Sequence, residues 1–491
     1  MPYYIGADLG TSALKLLLVD ERGNVKKTVS KSYDVSYPHP GWSEQNPEDW
    51  WDAFVTGTKE LLAETDASEV CGISTAGQMH GLVVLDENDA VIRPAILWND
   101  GRTAEETKYL NSVIGKEILS MRTANIAFAG FTAPKILWME THEKENFDRI
   151  RKIMLPKDYI TYRLTGKHVT DYSDASGMLL LDVKNKCWSQ DMLDVCHIKE
   201  EQMPTLAESY ECVGTVLPEI AILLGLPNSV VVAPGAGDNA GAAIGTGTVG
   251  EGKCNISLGT SGTIFISSER FSVDSFNALH SFCHSDGGFH LMGCMLSAAS
   301  CNKWFCEDIL NTEDYEKEQK DINDNKLGTN HVYFLPYLMG ERSPLNDTDA
   351  RGLFIGMRPD TTRADMVQAV LEGVAFAMRD NLEIAKSLGI DIKTSMLCGG
   401  GAKSPLWQKV ICNVLNIDID LPACEEGPGY GAAMLAMVAC GAYENVQSCV
   451  EALVGTRGSV SPIPEIASRY EAQYQKFKEI YPAVKQVYKV L

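Results

Sequence analysis

One small, hydroxyl-rich turn occurs once in each half of the chain, as Leu9-Gly10-Thr11-Ser12 and as Leu258-Gly259-Thr260-Ser261. Both copies lie between apolar runs. Glycine lets a ligand approach the backbone, and the N–H groups of such a turn form a concavity that suits an anion. Phosphate oxygens are the natural occupants of Gly10, Thr11 and Ser12, and of Gly259, Thr260 and Ser261. A single copy would read as an ordinary hairpin turn. Two copies in matching strand–turn–strand settings point to one shared ligand. A third near-copy, Leu327-Gly328-Thr329-Asn330, follows a polar stretch and lacks flanking strands, so a plain loop is expected there.

The two copies differ in what surrounds them. Asp8 precedes the first and Lys15 follows it, whereas Ser257 precedes the second. A carboxylate beside a phosphate turn suits hydrated Mg²⁺, which takes few protein ligands, so Asp8 is the candidate metal residue. Only one half carries it, which favours a single nucleotide gripped between the halves. Lys15 is a candidate for the same nucleotide.

Asp238 follows Gly235-Ala236-Gly237 and precedes a small-residue helical stretch. It could cap that helix. Ionised at neutral pH, it could instead take a proton from a substrate hydroxyl. In phosphoryl transfer such a base mainly orients the nucleophile, because the transition state is loose. Gly399, Gly400 and Gly401 end a strand before another helix and leave room for a flat ring or a ribose; a tight turn is the alternative. Gln78, Met79 and His80 lie on a loop between strands. With Trp98, Asn99, Asp100 and Arg102 they offer a ring face and polar groups to a polyhydroxylated ligand. A structural role for His80 remains open at this point.

Two motifs fail on context. The run Gly247–Cys254 nearly matches a P-loop, but cysteine replaces the metal-binding hydroxyl and a strand follows where a helix is required. Gly245–Gly250 fits a dinucleotide fingerprint, yet it closes a helix and opens none. Both read as a glycine-rich junction.

These residues need an α/β scaffold. Residues 3–30 read as three strands with turns, 48–64 as a helix, and 230–250 as strand, glycine turn and helix. From 252 the strand–turn–strand pattern restarts. A long helix then runs through Ala364–Leu388, a strand ends in the three glycines, and a helix begins near Pro405. The chain therefore divides into halves of 1–247 and 248–491 that begin alike, joined without a Pro- or Ser-rich linker and so expected to pack closely.

The composition is globular, 45% hydrophobic and 22% charged over 491 residues. With 43 basic against 65 acidic side chains the net charge is −22, which argues against nucleic-acid or anionic-membrane partners. No apolar run reaches the length of a membrane span and no signal peptide is evident. The 14 cysteines form no CxxC pair or zinc spacing, so reduced thiols in a cytoplasmic protein are expected.

The chain as a whole resembles the FGGY carbohydrate kinases, of the superfamily that also holds actin and hexokinase. The stretch "GFTAPKILWMETH" (130–142) is similar to the family's first signature, and "GLFIGMRPDTTRADMVQAVLEG" (352–373) to its second. "GWSEQNP", "GQMHG", "PAILWNDGR", "LPKDY", "HSFCH", "MLSAASC" and "FLPYLMGER" resemble, in matching order, the branch that acts on D-xylulose. The resemblance implies two ribonuclease-H-like domains around a central cleft, with ATP, Mg²⁺ and a sugar between them. It implies that Asp238 is the base for the sugar's O5, and that Asp8 lies near magnesium and phosphate. It also implies that Gln78, Met79, His80, Trp98 and Asn239 meet the sugar, and that Gly400 and Gly401 border adenosine. Two departures stand out: Ala236 lies where relatives often carry a third glycine, and Pro405 where some carry a polar side chain. Another ketose, polyol or sugar acid as acceptor, and an actin-like ATPase without kinase activity, are the competing readings. A homodimer is one possible assembly.

Overall fold

The computed structural model describes residues 1–491. In the N-terminal half β1 (Tyr3–Leu9), β2 (Ala13–Asp20) and β3 (Val25–Ser32) form an antiparallel meander. Helix α1 (Pro47–Leu62) returns the chain to β4 (Val70–Gly77), parallel to β1 on its free edge. After α2 (Pro156–Thr165), the short β5 (Val231–Val232) and β6 (Ala236–Gly237) run parallel to β4, and α3 (Asp238–Gly245) follows. The strand order is β3-β2-β1-β4-β5. β1 is covered on both faces, so its sequence is nearly continuous in apolar residues, while the outer β3 alternates. α1 starts where it does because the Asn46 side chain accepts from Glu48 N and Pro47 occupies the first turn.

The C-terminal half repeats the plan. β7 (Cys254–Leu258), β8 (Gly262–Ser268), β9 (His280–Cys283) and β10 (Phe289–Met295) come first. α4 (Arg363–Ser387), β11 (Thr394–Cys398), α5 (Pro405–Leu415), β12 (Asp418–Pro422) and α6 (Gly427–Ala439) follow. β13 (Thr456–Val460) and α7 (Pro464–Tyr488) complete the half. The order β10-β8-β7-β11-β12 matches that of the first sheet, with β7–β8 antiparallel and β7–β11 parallel as β1–β2 and β1–β4 are. Both halves are thus ribonuclease-H-like, as the sequence led us to expect. α4 is set by a capping box between Thr362 and Asp365.

The halves meet at α3 and α6, which cross with their backbones in contact. A Cβ on Gly431 would stand 1.9 Å from Gly241 O, so only glycine fits. α6 comes late in the chain but lies on the first sheet, with Tyr4, Leu17 and Val19 sharing a core with its Tyr430, Ala433 and Met437. Between the halves Gly247, Gly250 and Gly252 all have positive φ, so both rejected motifs are turns of a junction. Gly328 likewise sits in a turn outside any strand. A mostly helical insert between β4 and β5 has its own core, into which β9 contributes Phe282 and Cys283. No helix is long and apolar enough to cross a membrane.

Candidate active site

The two repeated turns connect β1 to β2 and β7 to β8, at the carboxyl ends of the central strands. In the first, Tyr33 Oη donates to Gly10 O at 2.5 Å, Gln45 Nε2 to Thr11 O at 2.7 Å, and Tyr33 N to Ser12 O at 3.3 Å. In the second, Ala299 N donates to Gly259 O at 2.8 Å, and Ala298 N and Ser300 Oγ donate to Thr260 O at 3.0 and 2.7 Å. The carbonyls are drawn back into the protein in both cases. The amides of Thr11, Ser12, Thr260 and Ser261 have no acceptor within the protein. That is the polarity an anion needs.

Asp8 and Asp238 are brought together by strand register. Asp8 and Ala236 both pair with Ala76 of β4, one from each side. Two strand spacings, about 10 Å between backbones, separate them. Asp238 is the first residue of α3, and its Oδ1 accepts from Asn239 N at 2.7 Å and Asn239 Nδ2 at 2.9 Å. It accepts from no N–H two or three residues on, so it is not a helix cap. Both bonds fall on Oδ1, leaving Oδ2 without a protein donor. Burial pushes the Asp238 carboxyl up to about 6. Burial, then the charge of Asp238, pushes Asp8 up to about 7; Lys15 opposes the shift and Glu426 adds to it. Lys15 Nζ lies 3.0 Å from Glu426 Oε2, a pair that joins the halves.

Next to Asp238 lies a buried polar network. Gly237 N donates to Ser173 Oγ at 3.2 Å, and Ser173 Oγ donates to Asp171 at 2.5 Å. Lys157 Nζ stands 2.7 Å from Asp158 and 2.9 Å from Asp171. This network fixes the strand end that carries Asp238.

The residues expected to meet a sugar lie against Gly237 and Thr11. A Cβ on Gly237 would lie 3.0 Å from the Met79 sulfur, so Met79 packs directly before Asp238. His80 has φ of 69°, a conformation rare for a non-glycine residue and frequent at functional sites. Its Nδ1 is 2.8 Å from Gly177 O, and because a carbonyl only accepts, Nδ1 carries the proton. Nε2 is then an acceptor for a hydroxyl, and burial keeps the ring neutral. Gln78 is buried, and Trp98 is 46% exposed, with Nε1 donating to Thr11 Oγ1 at 3.0 Å. Thr11 Oγ1 in turn donates to Gln78 Oε1 at 3.1 Å. The Thr11 hydroxyl is therefore occupied within the protein, and its amide is what faces an anion. One N–H of the Asn239 side-chain amide donates to Asp238 and orients that carboxylate.

Gly400 and Gly401 line a cavity of about 970 Å³ with Thr260, Ser300, Lys303 and Trp407. Gly399 permits it: φ is 91°, and a Cβ there would be 2.7 Å from Leu258 O. Pro405 sits on the rim as the first residue of α5, where Ser404 caps the helix. The second turn thus opens directly onto this cavity, whose lining includes Gly259 and Thr260.

Sequence reading missed three features whose partners are remote in the chain. Gln45 is buried and bonds across both the turn and the sugar loop. Phe128, Phe131, His280 and Phe282 form an aromatic wall around His80. Arg342 lies over Phe128 at 5.1 Å, beside Cys294 and His280. Arg93, Arg102, Arg163 and Arg379 are each paired with a carboxylate, and Arg342 has none.

The chain is similar over its whole length to known proteins. Residues 3–245 match the N-terminal domain of the FGGY family of carbohydrate kinases, and residues 254–440 match its C-terminal domain. The chain is 40% identical over 482 residues to a xylulose kinase of Escherichia coli (strain K12), covering 97% of each protein. It is 37% identical over 488 residues to a xylulose kinase of Bacillus subtilis (strain 168), covering 99% of this chain and 98% of that one. A crystal structure of a xyloylose kinase from Brucella ovis superposes with a TM-score of 0.94 at 40% identity, covering 99% of this chain and 100% of that one. A gluconate kinase from Lactobacillus acidophilus superposes with a TM-score of 0.93 at 26% identity, covering 99% of each chain. The chain belongs to the FGGY family of carbohydrate kinases.

Proposed function

We propose that this kinase transfers the γ-phosphoryl group of ATP to O5 of D-xylulose, giving D-xylulose 5-phosphate and ADP. The observation that carries the reading is the pair of turns with free amides, one from each half, together with Asp238 and its unpaired Oδ2. The near full-length identity to xylulose kinases supports the choice of sugar. We assign 1–247 to the half that holds the sugar, the first turn and the base, and 248–491 to the half that holds the second turn and adenosine. The fourteen unpaired cysteines suit a reducing, cytoplasmic setting.

In this reading the Thr11, Ser12, Thr260 and Ser261 amides bind the phosphate chain, and Lys15 leaves Glu426 to reach it. Met79, His80 and Trp98 hold the ketose so that O5 meets Asp238 Oδ2. Asp238 orients that hydroxyl and takes its proton as the new O–P bond forms, while the β–γ bridging oxygen leaves with ADP. The amides stabilise charge on the transferring group, and closure about α3 and α6 excludes water. Asp8 fits a magnesium site: it is a hard oxygen donor with no hydrogen bond from the protein, beside the phosphate turn. No cluster of three or more metal-binding side chains is present, so phosphate and water oxygens would complete the coordination. When bound, Mg²⁺ neutralises phosphate charge.

A coupled ADP-release assay over D-xylulose, D-ribulose, glycerol and D-gluconate tests the reading. D-xylulose should give the highest kcat/KM. Preference for another acceptor, or ADP release independent of every sugar, would overturn it. One observation favours a second reading, a sugar acid: the unpaired Arg342 guanidinium at the aromatic wall could take a carboxylate.

A further inference from the structure

Gln45 has all its hydrogen-bonding capacity engaged in one place. Its Nε2 donates to Thr11 O at 2.7 Å and to Asp34 O at 3.3 Å. Its Oε1 accepts from Trp50 Nε1 at 3.1 Å and from Gln78 Nε2 at 3.0 Å. Two donors and two acceptor sites are the full inventory of a glutamine amide. The short antiparallel pairing of Glu44–Gln45 with Ala95–Ile96 sets Gln45 opposite Ala95, on the strand that leads on to Trp98. Trp98 closes the circuit through Thr11 Oγ1, which donates to Gln78 Oε1. Trp98 and Gln78 are the candidate sugar face, and Thr11 is the candidate phosphate turn. No bond in the chain linking them exceeds 3.1 Å, and its central amide is 2% exposed.

We propose that Gln45 is a positioning residue that couples the sugar face to the first phosphate turn, so that occupancy of one sets the geometry of the other. The proposal rests on the functional reading above. A sugar packed against Trp98 restrains the indole, the indole restrains Thr11 Oγ1, and Gln45 holds the Thr11 carbonyl away from the phosphate. Together these fix the plane of the Thr11–Ser12 peptide, and with it the direction of the Ser12 N–H. Trp98 is 46% exposed, so a sugar packed on the indole adds a restraint to the bond that it already makes to Thr11. Coupling of this kind is a free energy shared by two sites and must be reciprocal.

The test is the ADP dissociation constant measured with and without saturating D-xylulose, beside kcat and melting temperature. The wild-type protein should bind ADP about 5- to 20-fold more tightly with the sugar present. Gln45→Leu and Thr11→Val should bring that ratio to within about twofold of one and lower kcat about 10- to 100-fold. Thr11→Ser, which keeps the hydroxyl, should retain the wild-type ratio. A merely structural Gln45 would lower the melting temperature and leave the ratio of the folded enzyme intact. Should Gln45→Leu fail to fold, Thr11→Val and Trp98→Phe break the same circuit and decide the matter. A wild-type ratio of one, or a wild-type ratio kept in folded Gln45→Leu or Thr11→Val, overturns the proposal alone. Absence of any sugar-dependent turnover in the wild type overturns the functional reading and this proposal together.

Discussion

Gly431 lies so close to Gly241 that a single methyl group on it would fall 1.9 Å from the Gly241 carbonyl oxygen. The contact is backbone against backbone, so no side chain can move aside. Gly431→Ala should therefore cost about 1–3 kcal/mol and lower the melting temperature by several degrees. It should also weaken nucleotide binding, because α3 and α6 set the relation of the two turns. A thermal melt of the variant checks this, and an unchanged transition would mean that the helices can separate freely.

The Lys15–Glu426 pair joins the two halves, but its side chains are 43% and 32% exposed. A pair of this kind contributes about 0.2–1 kcal/mol, so Lys15→Met should scarcely change the melting temperature. Its effect should fall on ATP, with KM rising about tenfold through loss of one phosphate contact. Glu426→Gln removes a charge that raises the Asp8 pKa and frees Lys15, so ATP KM should fall or stay level. Initial-rate measurements on both variants distinguish a phosphate-binding lysine from a structural one.

Asp238 must be ionised to accept a proton, and burial pushes its carboxyl up to about 6. kcat/KM should accordingly fall as pH drops through about 6, with the apparent value belonging to the Asp8–Asp238 pair. Stability follows the opposite sign. Asp8 is pushed up to about 7 in the native state against 3.8 ordinarily, so the native protein holds a proton that the unfolded chain releases. That contribution is full below about pH 4 and is lost as pH rises through 7. In metal-free buffer Asp8→Asn should melt higher than the wild type at pH 8, and the gap should close at pH 4. A gap that does not depend on pH would contradict the placement of Asp8.

Arg342 separates the two acceptor classes. If it serves a sugar hydroxyl or carbonyl, Arg342→Met should raise the D-xylulose KM about 10-fold and leave gluconate inactive. If it serves a carboxylate, gluconate turnover should exceed that of D-xylulose in the wild type and vanish in the variant. Paired KM measurements on the two acceptors decide between these outcomes.

The features legible in the sequence are those written in local pattern. The two turns, Asp8 and Asp238 stand out because glycine, hydroxyl and carboxylate fall between apolar strands within a dozen residues. The common strand order of the halves was expected only through resemblance, because pairing of β1 with β4 is not encoded near either strand. Lys15 reads as a phosphate ligand from its position, yet its partner Glu426 lies 411 residues away. Asn239 reads as a sugar contact, and the bond from one N–H of its amide to the neighbouring Asp238 is a local feature that the sequence does not announce. Gln45 gave no signal of its own, since its partners are Thr11, Asp34, Trp50 and Gln78. Ala236, the extra methyl before the base, is fully buried between β4 and the core, where it leaves the pairing of Gly237 with Gly77 undisturbed.

The most direct test of the whole account is the rate of D-xylulose phosphorylation by Asp238→Asn, read from ³¹P NMR of the product and coupled ADP release. The variant should fold, bind ADP with nearly wild-type affinity, and turn over about 10²- to 10⁴-fold more slowly. Sugar-dependent turnover close to the wild-type rate would contradict it.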